Sequence, residues 1–260
     1  VFLDLDDDGQ YSENEPSTRT LSDGSFSISS AITGVGFVAK TDASTIDTSS
    51  GEVLENITLK APFGAYVVTP TTTIMKEANL SASEISRALG LPDTVDPLTF
   101  NPFDANADQE AALVVEKISQ QIVTTIKTLG AAAEGAGLDA ETAASLATQA
   151  LVNTVRKAAT SAEETVLNFA NEADIADATA NFLVVVEQSS TTVDNESLAA
   201  VADIVQTSIK NVNETISNVT SLDDNESQAT FAITNTLKDQ IKQAVEDTAS
   251  GNDGEVDFVN

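Results

Sequence analysis

The sequence predicts an α+β fold: a small N-terminal antiparallel β-sandwich followed by an α-helical bundle. Three observations carry this. Before residue 70 the apolar residues alternate in short β-branched runs separated by turn signals. Beyond it they recur every three or four residues in long amphipathic stretches. Hydrophobic residues make up 41% of the 260 positions but aromatics only 5%, so the chain builds a core, and a lean one of small side chains.

In the first part, strands are expected at Val1–Leu5, Arg19–Leu21, Ser25–Ser29, Gly36–Thr41, Val53–Lys60 and Ala65–Thr69. Turns at Asp8-Gly9, Asp23-Gly24, Ser50-Gly51 and Pro62-Phe63-Gly64 separate them, with Asp23-Gly24 at the tip of a hairpin. About six short strands with regular turns suggest a sandwich.

In the second part, Thr71–Ala78 and Ser81–Leu89 read as short helices. Ser81 and Glu84 form a capping box, and Gly90 with Pro92 stops the second helix. Asp108 opens a long helix through Leu113, Ile118, Ile122, Ile126 and Leu129, which Gly130 is expected to end. Asp139 caps the next, and Ser161 with Glu164 starts another through Val166, Phe169, Ile175 and Phe182 to Val186, with a break near Asn171. Leu198–Val219 continues the pattern. Asp224 with Ser227, or Asn225, caps a last helix carrying Phe231, Leu237, Ile241 and Val245. The resulting organisation is a β-domain over 1–69, a helical bundle over 70–250, and a linker or strand over 251–260 that leads toward a following module. No fixed-period repeat is present.

Charge excludes several function classes. With 41 acidic and 12 basic side chains the formal net charge is −29. A nucleic-acid binder needs a basic face, and docking on anionic lipid needs one too. Apolar runs such as Phe182–Val186 fall far short of the ~20 residues that span a bilayer. The chain has no His and no Cys, so it offers no conventional zinc or haem site, no Ser–His–Asp triad and no disulfide framework. Its glycine-rich stretches, Gly34-Val-Gly36 and Gly130 to Gly137, lack phosphate-loop spacing. Its carboxylates lie in no aromatic sugar-binding context. The expectation is a protein that is not an enzyme and whose small partners are cations.

One motif specifies such a cation. Asp4-x-Asp6-x-Asp8-Gly9, with Glu15 at the distal end, fits the EF-hand-type calcium loop at every marked position. Calcium takes six to eight hard oxygens at about 2.3–2.6 Å, and alternate carboxylates on a tightly winding loop converge to supply them. Gly9 permits the sharp turn, Gln10 would offer its backbone carbonyl, Ser12 a side chain or a water, and Glu15 both carboxylate oxygens. The metal ligands predicted are therefore Asp4, Asp6, Asp8, Gln10, Ser12 and Glu15, with Ca2+ as the cofactor. Strands rather than helices flank the loop, so a structural ion is expected rather than a helix-opening sensor.

Asp104, Asn106 and Asp108 form a second candidate metal group, which lacks the glycine and the distal acid. Its competing reading, a loop with acids at a helix N-terminus, is the stronger one. Asp247, Asn252, Asp253, Glu255 and Asp257 read as an acidic linker. The Asn-x-Ser/Thr sites at Asn56, Asn79, Asn195, Asn213, Asn218 and Asn225 read as exposed polar positions rather than glycan acceptors.

The run Val1-Phe-Leu-Asp-Leu-Asp-Asp-Asp-Gly-Gln-Tyr-Ser-Glu-Asn-Glu-Pro-Ser-Thr-Arg-Thr20, followed by Asp23-Gly-Ser-Phe26, resembles the calcium-binding β-domains of bacterial surface adhesins. The serine-aspartate repeat B-type domains of Gram-positive adhesins are similar. The segment Ala61-Pro-Phe-Gly-Ala-Tyr-Val-Val-Thr-Pro-Thr-Thr-Thr-Ile74 looks like one common in very large repetitive secreted proteins of aquatic bacteria. So do Leu89-Gly-Leu-Pro92, Phe100-Asn-Pro-Phe-Asp104 and the helix from Gln120 into Gly130–Gly137. The resemblance is specific over 1–28, moderate over 60–137 and vague beyond. It implies calcium ligation by Asp4, Asp6, Asp8 and Glu15, and supplies no role for the helices.

The expected function is an extracellular, cell-surface, calcium-stabilised structural or adhesive module of a large bacterial surface or secreted protein. Val1 opens directly as a strand, and Asp257-Phe-Val-Asn260 looks like the start of a next repeat, so the chain reads as a piece of a longer protein. Partners would be neighbouring modules, copies of itself, or a host-surface or matrix ligand. No nucleic acid and no membrane insertion is expected. The alternative is a self-assembling filament or matrix subunit joined by strand exchange at an open β-edge at Val1 or Val256.

Overall fold

The computed structural model describes residues 1–162, 165–189, 193–222, 225–252 and 254–256. Strands β1 (Phe2–Asp4), β2 (Gly36–Lys40) and β3 (Thr58–Ala61) come first. Helices α1 (Pro70–Ala78), α2 (Ala82–Leu89), α3 (Gln109–Gly135), α4 (Ala140–Ala159), α5 (Glu172–Ser189), α6 (Asn195–Ala200), α7 (Ala202–Ser217) and α8 (Asn225–Ala249) follow. The strands form one antiparallel sheet in the order β1-β2-β3, with Leu3 opposite Phe37 and Ala39 opposite Leu59.

The expected β-sandwich is therefore wrong: the chain is mostly helical, with a single three-stranded sheet among the described residues. Arg19–Leu21, Ser25–Ser29 and Ala65–Thr69 join no ladder. Asp23-Gly24 does make its turn, with Leu21 N–H donating to Ser25 O at 2.8 Å, but no hairpin grows from it. The reason lies in where the sheet finds its cover. Helix α1 packs on β3, and Ile57 joins the same apolar cluster as Ile74 and Leu151, so helices do the work a second sheet would do. Alternation across 19–32 then has no second sheet to face, and Leu21 and Ile32 lie exposed.

Both sheet edges are closed. The segment after the acidic loop returns along β1: Leu3 N–H donates to Pro16 O at 3.0 Å and Thr18 N–H to Val1 O at 2.8 Å. On the other side, Thr72 Oγ1 donates to Lys60 O at 2.9 Å and Lys60 N–H to Thr73 Oγ1 at 2.9 Å. Helix α1 thus satisfies backbone groups of β3 with side chains from its own first turn. Its cap orients that turn: Thr69 Oγ1 accepts from Thr72 N–H, Pro70 pre-sets φ, and Asn79 ends the helix in the left-handed region.

Helix α3 is the axis of the helical part and packs against α4, α7 and α8. It does not stop at Gly130 but runs to Gly135. A Cβ on Gly135 would come within 2.6 Å of Lys242 O and 2.7 Å of Val245 Cβ. The glycine serves close approach of α8 rather than a turn, and the fully buried Ala131, Ala132 and Ala133 continue that narrow seam. Asp108, Ser81 and Asp139 cap their helices as expected. Val166, Leu167 and Phe169 are not helical: α5 begins only at Glu172, and Leu167 N–H donates to Ala88 O at 2.8 Å. Glu164 of the expected capping box, Asp224 of the last one, and Asp253 and 257–260 of the tail lie outside the described residues.

Asn213 is another correction. It is fully buried, and its Nδ2 donates to Phe169 O at 2.7 Å, tying α7 to the segment before α5. A polar residue inside a helix pattern carries no sequence mark of burial when its partner is a distant carbonyl. No described helix is long and apolar enough to cross a membrane.

Candidate metal centre

The loop leaves β1 at Asp4 and returns at Glu15. Two left-handed residues make its tight winding, Asp7 with φ 61° and Gly9 with φ 72°. Asp4 is almost fully buried beneath this turn, and its Oδ2 accepts from Gly9 N–H at 3.2 Å. Its Oδ1 is buried with no hydrogen-bond partner. Asp6 and Asp8 are exposed, yet each places a carboxylate oxygen within 4.8 Å of the others and of Asp4.

Glu15 stands outside this group. It too is buried, and both its oxygens are used to fasten the loop: Oε1 accepts from Leu5 N–H and Oε2 from Ser12 N–H, each at 2.8 Å. Ser12 thus contributes its backbone to Glu15. The Gln10 backbone N–H donates to Asp8 Oδ1 at 2.6 Å, and the Gln10 side chain accepts from Lys40 Nζ at 2.7 Å. Of the six predicted ligands, then, three aspartates are gathered, Glu15 locks the loop ends, and Gln10 and Ser12 brace the turn.

Three lysines, which the sequence reading passed over, surround this loop in a chain that has only 12 basic residues. Lys76 on α1 lies 2.8 Å from Asp7 Oδ1 and 3.6 Å from Asp4 Oδ2. Its hydrogen bond to Asp7 holds that carboxyl below the ordinary value, against the opposing effect of burial. Lys60 on β3 pairs with Glu77 and approaches Gly9, and Lys40 on β2 also pairs with Glu141 on α4. The only sequence signal was rarity, since a lysine is conspicuous in so acidic a chain.

The residues fit a hard divalent cation. Three carboxylates converge, one of them has a buried oxygen that nothing satisfies, and oxygen donors of this kind suit calcium over softer metals. An unpaired buried carboxylate oxygen costs free energy that a bound cation would recover.

The second candidate group shows a different arrangement. Asp108 Oδ1 accepts from Ala111 N–H at 2.8 Å as the α3 cap, and Asp104 Oδ1 accepts from Asn106 N–H at 2.8 Å. These are turn and cap bonds, and among the described residues the acids gathered within metal-ligating reach are Asp4, Asp6 and Asp8.

Compared with known protein families, curated proteins and solved structures, the chain matches none.

Proposed function

We propose that this chain is a calcium-stabilised structural module, extracellular and non-enzymatic, belonging to a large bacterial surface or secreted protein. The observation that carries the reading is the orphaned, buried Asp4 Oδ1 beside the carboxylates of Asp6 and Asp8. Asp4, Asp6 and Asp8 would hold the ion. Calcium would supply the positive charge that lets three carboxylates sit together without mutual repulsion. The protein's own residues transmit the effect. The loop begins at the end of β1, Glu15 clamps its two ends, and Lys76 and Lys40 connect it to α1 and, through Glu141, to α4. Ordering the loop thereby secures the sheet against the helices. An ion that binds only the folded chain stabilises it by mass action. The extracellular setting rests on the likeness of residues 1–28 to the calcium-binding segments of bacterial surface adhesins.

The test is thermal unfolding in calcium and in excess EDTA, with bound calcium quantified on the folded protein. The expected result is one tightly bound ion and a large rise in Tm. Equal Tm in both solutions with no bound ion would overturn the reading. The filament alternative gains no support at Val1, because β1's outer edge is already paired with Pro16–Thr18.

A further inference from the structure

A cavity of about 590 Å3 opens on the other side of the sheet, between the segment around Phe26, the loop at Asp47–Ser49, the loop at Thr99–Phe103 and helix α3. Nothing in it uses Asp4, Asp6 or Asp8. Its volume lies within the range of small-molecule pockets, about 300–1,000 Å3. Phe26, Tyr66, Phe100 and Phe103 all line it, which concentrates aromatics in a chain that has few. Tyr66 is 80% and Phe103 52% exposed, so their rings are open to a ligand at the rim.

The charge of this cavity is mostly negative. Asp23, Asp47 and Glu116 line it, and the one positive group on its lining among the described residues is the Val1 α-ammonium, which donates to Thr18 O at 2.8 Å. Glu116, on α3, is only 5% exposed. Ser49 Oγ donates to its Oε1 at 2.6 Å and Gln120 Nε2 to the same oxygen at 2.9 Å. The Gln120 amide also reaches Asp47 Oδ2 at 3.1 Å, which fixes both carboxylates in place. No described residue donates to Glu116 Oε2. A buried carboxylate with one free oxygen, beneath an aromatic rim, is matched by a ligand with a positive head and an apolar body. A divalent metal fits poorly, because the amide donor of Gln120 stands between the two carboxylates.

We propose that this cavity is a binding site for small organic cations of the arylalkyl- or alkylammonium class, with the Glu116 carboxylate as counter-ion and the rim aromatics holding the apolar stem. The ammonium donates to Oε2, and Asp47 adds a second negative charge behind Gln120. Burial raises the proton affinity of Glu116, Ser49 and Gln120 oppose this and Asp47 adds to it, so the carboxylate form that pairs with an ammonium prevails above about pH 7.

Calorimetric titration of the full chain with 2-phenylethylammonium chloride at about pH 8 tests this, with neutral 2-phenylethanol and anionic phenylacetate as matched probes. The expected result is saturable binding of the ammonium, about tenfold or more weaker binding of the alcohol, and none of the acid. Glu116→Gln should lose about tenfold in affinity for the ammonium. Phe103→Ala, at an exposed position where folding is not at stake, should lose about threefold. Equal affinity for ammonium and alcohol would overturn the proposal, as would unchanged binding in Glu116→Gln or no saturable binding at all. Displacement of the ammonium by calcium chloride in the Asp4→Asn variant would make the cavity a metal site and overturn it too.

Discussion

Between Phe2 and Ala61 the backbone is held mainly by polar closures, whereas between Pro70 and Ala249 it is held by apolar burial. In the first region Glu15 joins two points of a loop, Thr72 and Thr73 cap a strand edge, and lysines stand beside aspartates. In the second, Ile122, Leu129, Leu151, Phe182, Ile209 and Ile241 are almost fully enclosed around α3. Polar closure depends on ions and pH in a way that apolar packing does not. The two regions should therefore answer differently to the same perturbations.

The largest effect belongs to the helices. Leu151→Ala or Phe182→Ala should cost about 3–5 kcal/mol, because each leaves a cavity in a packed seam. Urea unfolding should show that cost unchanged by EDTA. The sheet should show the reverse dependence. Calcium at about 100 times its Kd should add about 3 kcal/mol, and Asp4→Asn should abolish that increment. Lys76→Met, which removes the ammonium already beside Asp4 and Asp7, should tighten calcium binding measured by titration. An EDTA-sensitive cost for Leu151→Ala would break the comparison.

Glu116 sits where the two regions meet, and burial pushes its carboxyl up to about 7 from an ordinary 4.5. In the unfolded chain it ionises at the lower value. The native state therefore keeps its full stability below about pH 4.5 and loses stability as pH rises through 7. Glu116→Gln removes that loss and should stabilise the protein by up to about 3 kcal/mol at pH 8, with little effect at pH 4. Denaturant midpoints at the two pH values check it, and a constant difference across the range would mean that burial does not perturb this group. The smallest effect is at a cap. Thr69→Ala should cost about 1 kcal/mol, by freeing the Thr72 N–H at the turn that docks α1 on β3.

The starts of α2, α3 and α4 were readable because their causes are local. Ser81, Asp108 and Asp139 cap the helices they were expected to cap, since a cap needs only a side chain and an amide three residues on. The acidic loop was readable for the same reason: alternate aspartates and Gly9 fall together by backbone winding alone. Glu15 was harder. Its spacing suits a distal ligand, but its two oxygens are spent on Leu5 and Ser12. Strand pairing was read least well, because alternation at Ser25–Ser29 says which face is apolar and not whether a partner strand exists. Phe26 instead meets Phe37 edge-on at 5.6 Å, side chain to side chain.

The amino-acid order by itself determined the starts of α2, α3 and α4, the winding of the aspartate loop and the exclusion of histidine and cysteine chemistry, because each follows from neighbours in the chain. Only the tertiary structure decided that α1 rather than a second sheet covers β3, that Gly135 is a contact and not a stop, and that Lys76 and Glu116 come to lie where they do. Those outcomes depend on residues tens of positions apart, and their energies arise only when distant surfaces exclude water together.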